Sequence, residues 1–175
     1  MFYPLSEITP DLYTEGSEFI YKDSRAPYSG YYFSTTDGRF YTERTLLPTS
    51  KEILKSSNVL PEDPTSPEHT IPQPSEADYQ VGYITRYVCK RVNSGIETMK
   101  EITREEYNRI KRDPLYNNVE FKWVIVGNTL DDLSNSKIPV YGIIRINKIA
   151  VNNLEPKMPG ISQFFKNYAE FAKDP

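Results

Sequence analysis

The chain has one cysteine, Cys89, and one histidine, His69. A single cysteine excludes an internal disulfide, and one residue of each kind is too few for a zinc-type ligand set. His69 with Cys89 is also the only nucleophile–base pairing of that class. His69 lies among prolines and Cys89 within the apolar run Tyr87-Val88-Cys89, so a loop histidine and a buried thiol are expected. No stretch approaches the roughly twenty apolar residues that span a bilayer, and the start, MFYPLSEITPD, lacks the basic-then-apolar order of a signal peptide. Positive charge is not in excess: the formal net charge is −3, and Lys90-Arg91 and Arg109 to Arg112 are short clusters mixed with acids. A phosphate-backbone binder is therefore not expected. The glycine-rich phosphate loops and the calcium loop are absent as well, so no metal and no cofactor are expected.

What is abundant is aromatic and imino. Fourteen tyrosines and eight phenylalanines stand beside fourteen prolines in 175 residues, with a mean hydropathy of −0.60. Tyrosine buries a large ring while keeping a hydroxyl that tolerates water, which suits extensive interfaces. The segment PYSGYYFSTTDGRFYT, residues 27–42, concentrates the rings. Asp37-Gly38 reads as a two-residue hairpin turn of type I′. Strand alternation places Tyr31 and Phe33 on one face and Tyr32 on the other, with Tyr41 beyond the turn, so both faces carry rings. One face has to pack on the rest of the chain, and the other calls for cover by a partner.

Proline divides the chain. Residues 1–48 read as an N-terminal arm with the aromatic hairpin, and Phe19 to Tyr21 as a short strand within it. Residues 49–78 read as a connector, with a helical turn at Ile53-Leu54 and then PEDPTSPEHTIPQP. That run, 61–74, has five prolines and one aliphatic side chain, Ile71, and is expected to be ordered only against another subunit or protein. Residues 79–175 read as an α+β core. Tyr79 to Val92 is predicted to be a strand, with Ile96 to Met99 returning beside it, and Thr103 to Glu106 to cap a short helix. Phe121 to Val126 is the most apolar strand; with Val88, its Trp123 and Ile125 are the expected core. Ile143, Ile146, Ile149, Ala150 and Leu154 repeat at helical spacing, which favours a helix up to Asn153, with a strand near Ile143-Ile144 as the rival. Pro159 opens a predicted amphipathic tail helix striped by Ile161, Phe164, Phe165, Tyr168 and Phe171. The fold class expected is a small antiparallel β core with hairpins and short helices, a long proline-rich connector and that C-terminal helix.

The candidate interface residues are accordingly Tyr31, Phe33, Tyr41, Ile71, Phe164, Phe165 and Tyr168. Catalysis has one weaker candidate, the pair Asp131-Asp132 after the apolar strand. Adjacent acids act as general acid and base only where a cleft separates their pKa values, and in a loop they are commonly a solvated surface. No catalytic residue is assigned. The alternatives to a structural protein are a carbohydrate- or peptide-binding module using the aromatic hairpin and a small enzyme with an acidic site at Asp131/Asp132.

Three blocks carry a family likeness. Tyr28-Ser-Gly-Tyr-Tyr32 with Asp37-Gly38-Arg-Phe-Tyr41-Thr42 is one. Arg86-Tyr-Val-Cys-Lys-Arg91, followed by Ile96-Glu97 and Ile102-Thr-Arg-Glu-Glu-Tyr107, is the second. Met158-Pro-Gly-Ile161 with Phe164 and the closing Asp174-Pro175 is the third. In order and spacing they resemble segments of small virion structural proteins of large tailed bacteriophages. Glu43-Arg44 departs from that pattern where the group's turn carries glycine, and a tryptophan-to-glycine segment is reduced to Trp123 and Gly127. The resemblance implies a virion component at the neck or head–tail junction. Its partners would be portal, neck or tail proteins and further copies of itself in a ring, with neither nucleic acid nor membrane among them.

Overall fold

The computed structural model describes residues 3–56, 66–134 and 139–173. Its architecture is α+β, built of antiparallel sheets and short helices, in two compact units that divide at Ser66/Pro67.

The N-terminal unit is a closed barrel of four strands: β1 (Ile8–Tyr21), β2 (Pro27–Thr35), β3 (Phe40–Thr42) and β4 (Glu52–Lys55). The segment read as an arm is thus a fourteen-residue strand. Strand β1 pairs with β2 along its length and with β4 through Phe19, Ile20 and Tyr21. Its register breaks between Thr9 and Leu12 and again between Thr14 and Phe19, where Asp11 and Gly16 take positive φ. Such bulges bend a strand and raise its twist, which lets one strand join both ends of a small barrel. Phe19, Tyr28, Tyr32 and Ile53 are buried together in the interior, with Leu12, Tyr21 and Phe40 packed on them. Ile53 and Leu54 therefore belong to a strand and not to a helical turn: β4 completes the closure, and that pairing outweighs local propensity. The β2–β3 hairpin forms where Asp37-Gly38 predicts it, with a different turn. Thr35 donates to the Arg39 carbonyl across a three-residue loop in which Gly38 alone takes positive φ, and the Asp37 side chain accepts from the Thr35 hydroxyl.

In the C-terminal unit β6 (Lys100–Ile102), β5 (Tyr83–Arg91) and β7 (Tyr116–Val124) form a sheet in that order, entirely antiparallel. Helix α2 (Arg104–Ile110) begins at Thr103, whose hydroxyl accepts from the Glu106 amide, and packs its Ile110 on Cys89 and Ile102. The opposite face carries the main core: Ile84, Val88, Val119, Trp123 and Ile125, covered by Val151, Met158, Ile161 and Phe165. Val88, Trp123 and Ile125 are completely buried, in the core where the sequence places them. Cys89 is buried too, which pushes its thiol up to about 11 and keeps it protonated near neutral pH.

In the C-terminal unit four elements differ from expectation. Strand β7 runs Tyr116–Val124, starting before and stopping short of the expected Phe121–Val126. Tyr79 to Val81 belong to helix α1 (Glu76–Val81), started by a Ser75/Asp78 capping box and stopped by Gly82 in the left-handed conformation. Ile96 to Thr98 form a 3₁₀ turn before β6, which shortens the return strand. The tail helix is a single turn, α4 (Ile161–Phe164), after which the chain leaves the helical path and Lys173 bridges to Val126. An amphipathic pattern does not make a helix when its rings are all drawn individually into one core. Helix α3 (Ile143–Asn152) forms as predicted but buries Ile143, Asn147 and Val151, leaving Ile146 and Ile149 exposed.

The proline-rich segment is described from residue 66 onward; 57–65 lie outside the described residues. Its second half does not wait for a partner. Pro67 is buried and its carbonyl accepts from Lys100 Nζ, while the Thr70 amide donates to the Glu101 carbonyl. His69 Nδ1 accepts from the Glu101 amide at 3.3 Å. Both outward main-chain groups of Glu101 are thereby satisfied, and the β6 edge is closed by the chain's own segment.

Candidate functional site

The rings read as interface residues are largely used up inside their own units. Phe33 is fully buried, stacked on Tyr41 with centroids 5.3 Å apart, and Tyr3 lies against Tyr41 in turn. Tyr31 is half-buried between Tyr13 at 5.1 Å and the Arg44 guanidinium, 3.7 Å from its centroid. Among the described residues the hairpin therefore presents no open aromatic platform; its cover comes from Tyr3, Tyr13 and Arg44. In the C-terminal unit Phe165 is buried 5.3 Å from Trp123, with Phe164 edge-on to it at 5.0 Å. Tyr168 stacks on Trp123, and its hydroxyl donates to the Ser162 carbonyl. Of the seven candidates only Ile71 is exposed, at 56%.

The polar groups of this core serve its architecture. Arg86 projects from β5 into the aromatic face, 3% exposed, and donates through Nε and Nη2 to the Glu101 carboxylate, both at 2.6 Å. Its Nη1 reaches Glu170 at 2.8 Å, and the guanidinium lies 4.4 Å from the Trp123 ring and 4.6 Å from Phe165. The planar fork matches a carboxylate and stacks on rings at once, which an ammonium cannot do. Arg86→Lys is expected to cost about 1.5–3 kcal/mol, the scale of hydrogen bonds to charged groups, measured as a lower urea midpoint with an unchanged slope. A loss within 0.5 kcal/mol or so would show that charge alone suffices there. Sequence patterning missed this cluster because Arg86 occupies a core position in an alternating strand, where a charge signals solvent.

Asp131 and Asp132 follow β7 in a segment folded back upon itself. The Asp132 amide donates to the Val140 carbonyl at 2.8 Å and the Val140 amide returns the bond at 3.1 Å. Asp131 accepts from the Gly142 amide at 2.8 Å and pairs with Arg145 at 3.0 Å, and these partners hold its carboxyl below the ordinary range. Asp132 is held low by the hydroxyl and amide of Ser134. The two acids are therefore both ionised near neutral pH and both occupied as acceptors, so the pair lacks the divergent pKa values of an acid–base couple. Gly142 is required for its size. A Cβ there would stand 2.4 Å from the Leu130 carbonyl carbon and 2.7 Å from the Thr129 oxygen.

This bracing leaves apolar side chains outside. Leu130 is 72% exposed, Leu133 63% and Val140 55%, with Tyr141, Ile146 and Ile149 also exposed. A shallow cleft of about 280 Å3 beside them is lined by Thr129, Leu130, Asp131, Ile144 and Arg145. The Arg145 guanidinium lies 4.1 Å from the Tyr141 ring, so a charged pair and a ring border the apolar group. Exposed apolar groups rimmed by polar residues, with arginine and tyrosine beside them, are suited to binding protein. Compared with known protein families, curated proteins and solved structures, the chain matches none. Sequence reasoning marked this segment for its two acids and passed over its leucines. The available signal was Leu130, Leu133 and Val140 set among Asn, Asp, Ser and Pro, where no periodicity gives them a buried face.

Proposed function

We propose that this chain is a structural component of a tailed-bacteriophage virion, placed at the neck or head–tail junction and acting through protein–protein contacts. The observation that carries the contact role is the bracing of Asp132 against Val140 and of Asp131 against Gly142, beside which Leu130, Leu133 and Val140 stand open to solvent. Leaving three large aliphatic side chains exposed on one short segment is costly for solubility and is repaid where a partner covers them. The resemblance of the three sequence blocks to virion proteins supplies the setting. In that setting the partners are portal, neck or tail proteins and neighbouring copies in a ring, and the location is the particle itself. The occupied, ionised state of Asp131 and Asp132 supports a binding role for this loop over acid–base catalysis.

The double variant Leu130→Asp/Leu133→Asp tests the reading. Both positions are exposed, so the melting transition should stay within about 0.5 kcal/mol of the parent. Recovery of the variant with purified particles should fall sharply, because carboxylates would be desolvated at the contact. Normal incorporation of the folded variant would count against the loop as the contact, and absence of the parent chain from purified particles, by mass spectrometry, against the virion setting.

A further inference from the structure

The two edges of the C-terminal sheet are treated differently. At β6 the outward amide and carbonyl of Glu101 are taken by His69 and Thr70. At β7, Val124 is closed in the same manner: its amide donates to Asn147 Oδ1 at 2.8 Å, and its carbonyl accepts from Asn147 Nδ2 at 3.0 Å. These bonds set the parity of the strand. Val124 pairs with Tyr83 while turning its main-chain groups away from β5, so Glu120 and Lys122 also turn theirs outward. Among the described residues nothing bonds those groups, and β7 is a terminal strand of its sheet. The open stretch is therefore short and defined, bounded by Asn147 at Val124 and by the Tyr116 amide, which donates to the Asp113 carbonyl.

We infer that this open edge pairs with the same edge of a second copy, antiparallel about a twofold axis at Phe121. Main-chain bonding across an antiparallel edge links outward-facing residues to outward-facing residues. With Phe121 on the axis, Glu120 of one copy lies opposite Lys122 of the other, and Lys122 opposite Glu120. Shifting the axis to Glu120 or to Lys122 would put like charges face to face, which is unfavourable in directly opposed pairs. Shifting it to Val119 would set Lys122 against Tyr116, whose amide is already used. Only the Phe121 register joins free groups with opposite charges. It also brings the two half-buried Phe121 rings together in the non-hydrogen-bonded pair, where opposed side chains are closest. Glu120 and Lys122 are exposed and share the sheet face away from the Trp123 core. Charges on an edge ordinarily repel a second strand; arranged as acid and base two residues apart, they specify one. The contact is isologous and separate from the Leu130 loop, and it stands whether or not the virion setting does.

Sedimentation of the full chain over a concentration series provides the test, with hydrogen exchange at Glu120 and Lys122. The parent is expected to dimerise, with both amides gaining protection as the dimer fills. Glu120→Lys and Lys122→Glu should each weaken dimerisation about tenfold or more, since each replaces two attractive pairs by two repulsive ones. The double exchange Glu120→Lys/Lys122→Glu restores opposite charges and should return the dimer to near the parental strength. A parent that stays monomeric up to about 1 mM, a dimer indifferent to the single exchanges, or a double exchange that fails to recover would each overturn the inference.

Discussion

Removing residues 159–175 is expected to unfold the C-terminal unit. Ile161 is completely buried and Phe165 is 6% exposed, and both belong to the same cluster as Val88 and Trp123. Each would cost about 2–5 kcal/mol if truncated to alanine, and the deletion removes them together with the groups they shelter. The Trp123 indole N–H would lose the Glu170 carbonyl at 3.0 Å, Asn147 would lose the Tyr168 carbonyl at 2.9 Å, and Lys90 the Pro159 carbonyl at 3.0 Å. The sum reaches the roughly 5–15 kcal/mol that holds a whole domain folded. The pattern of the tail alone predicts an outward-reaching helix whose loss spares the sheet; the observed packing reverses that expectation. Trp123 is the only tryptophan, so its fluorescence reports on this unit alone. A red-shifted emission without a cooperative transition is expected for the truncated chain. A blue-shifted emission with a cooperative melt would show that the sheet stands without its tail.

Trp123→Ala is expected to cost about 3–5 kcal/mol, as for large-to-small changes in a close-packed interior. The indole is completely buried, stacked with Tyr168 at 6.1 Å and tilted against Phe165 at 5.3 Å. It also forms one wall beside the Arg86 guanidinium, so its removal loosens a buried charge cluster as well as opening a cavity. Trp123→Phe separates these contributions: it keeps a ring and loses the bond to Glu170, at about 1–3 kcal/mol for a buried acceptor left unpaired and some lost volume. His69→Ala is the contrasting case. His69 is exposed, yet it satisfies the Glu101 amide, so a cost of about 0.5–1.5 kcal/mol is expected instead of none. Urea unfolding followed by circular dichroism would rank the three. Equal losses for Trp123→Ala and His69→Ala would mean that the core is not centred on Trp123.

Local signals were legible wherever a short run of residues decides its own conformation. The Asp37-Gly38 hairpin, the Thr103 cap, a strand through Phe121 to Val124 and the helix from Ile143 all follow from turn chemistry, capping or periodicity, which act over a few residues. The absence of a second cysteine or histidine, the acid–base balance and the wealth of rings likewise bounded the classes of chemistry from composition alone. The candidate contact loop was legible only in part. Its acids drew attention, but whether Leu130 and Leu133 are covered depends on atoms far along the chain.

Tertiary structure decided the rest, because each remaining question turns on which distant groups meet. Ile53-Leu54 is a strand because β1 bends at two bulges to receive it. Arg86 is buried because Glu101 and Glu170, 15 and 84 residues away, converge on its fork. The tail rings pack on the core because Trp123 and Asn147 hold the chain that carries them. The same Asn147, closing Val124 and no further, leaves Glu120 and Lys122 open. Pattern gives a residue its preference for burial; only the closing of long loops determines which surface satisfies it.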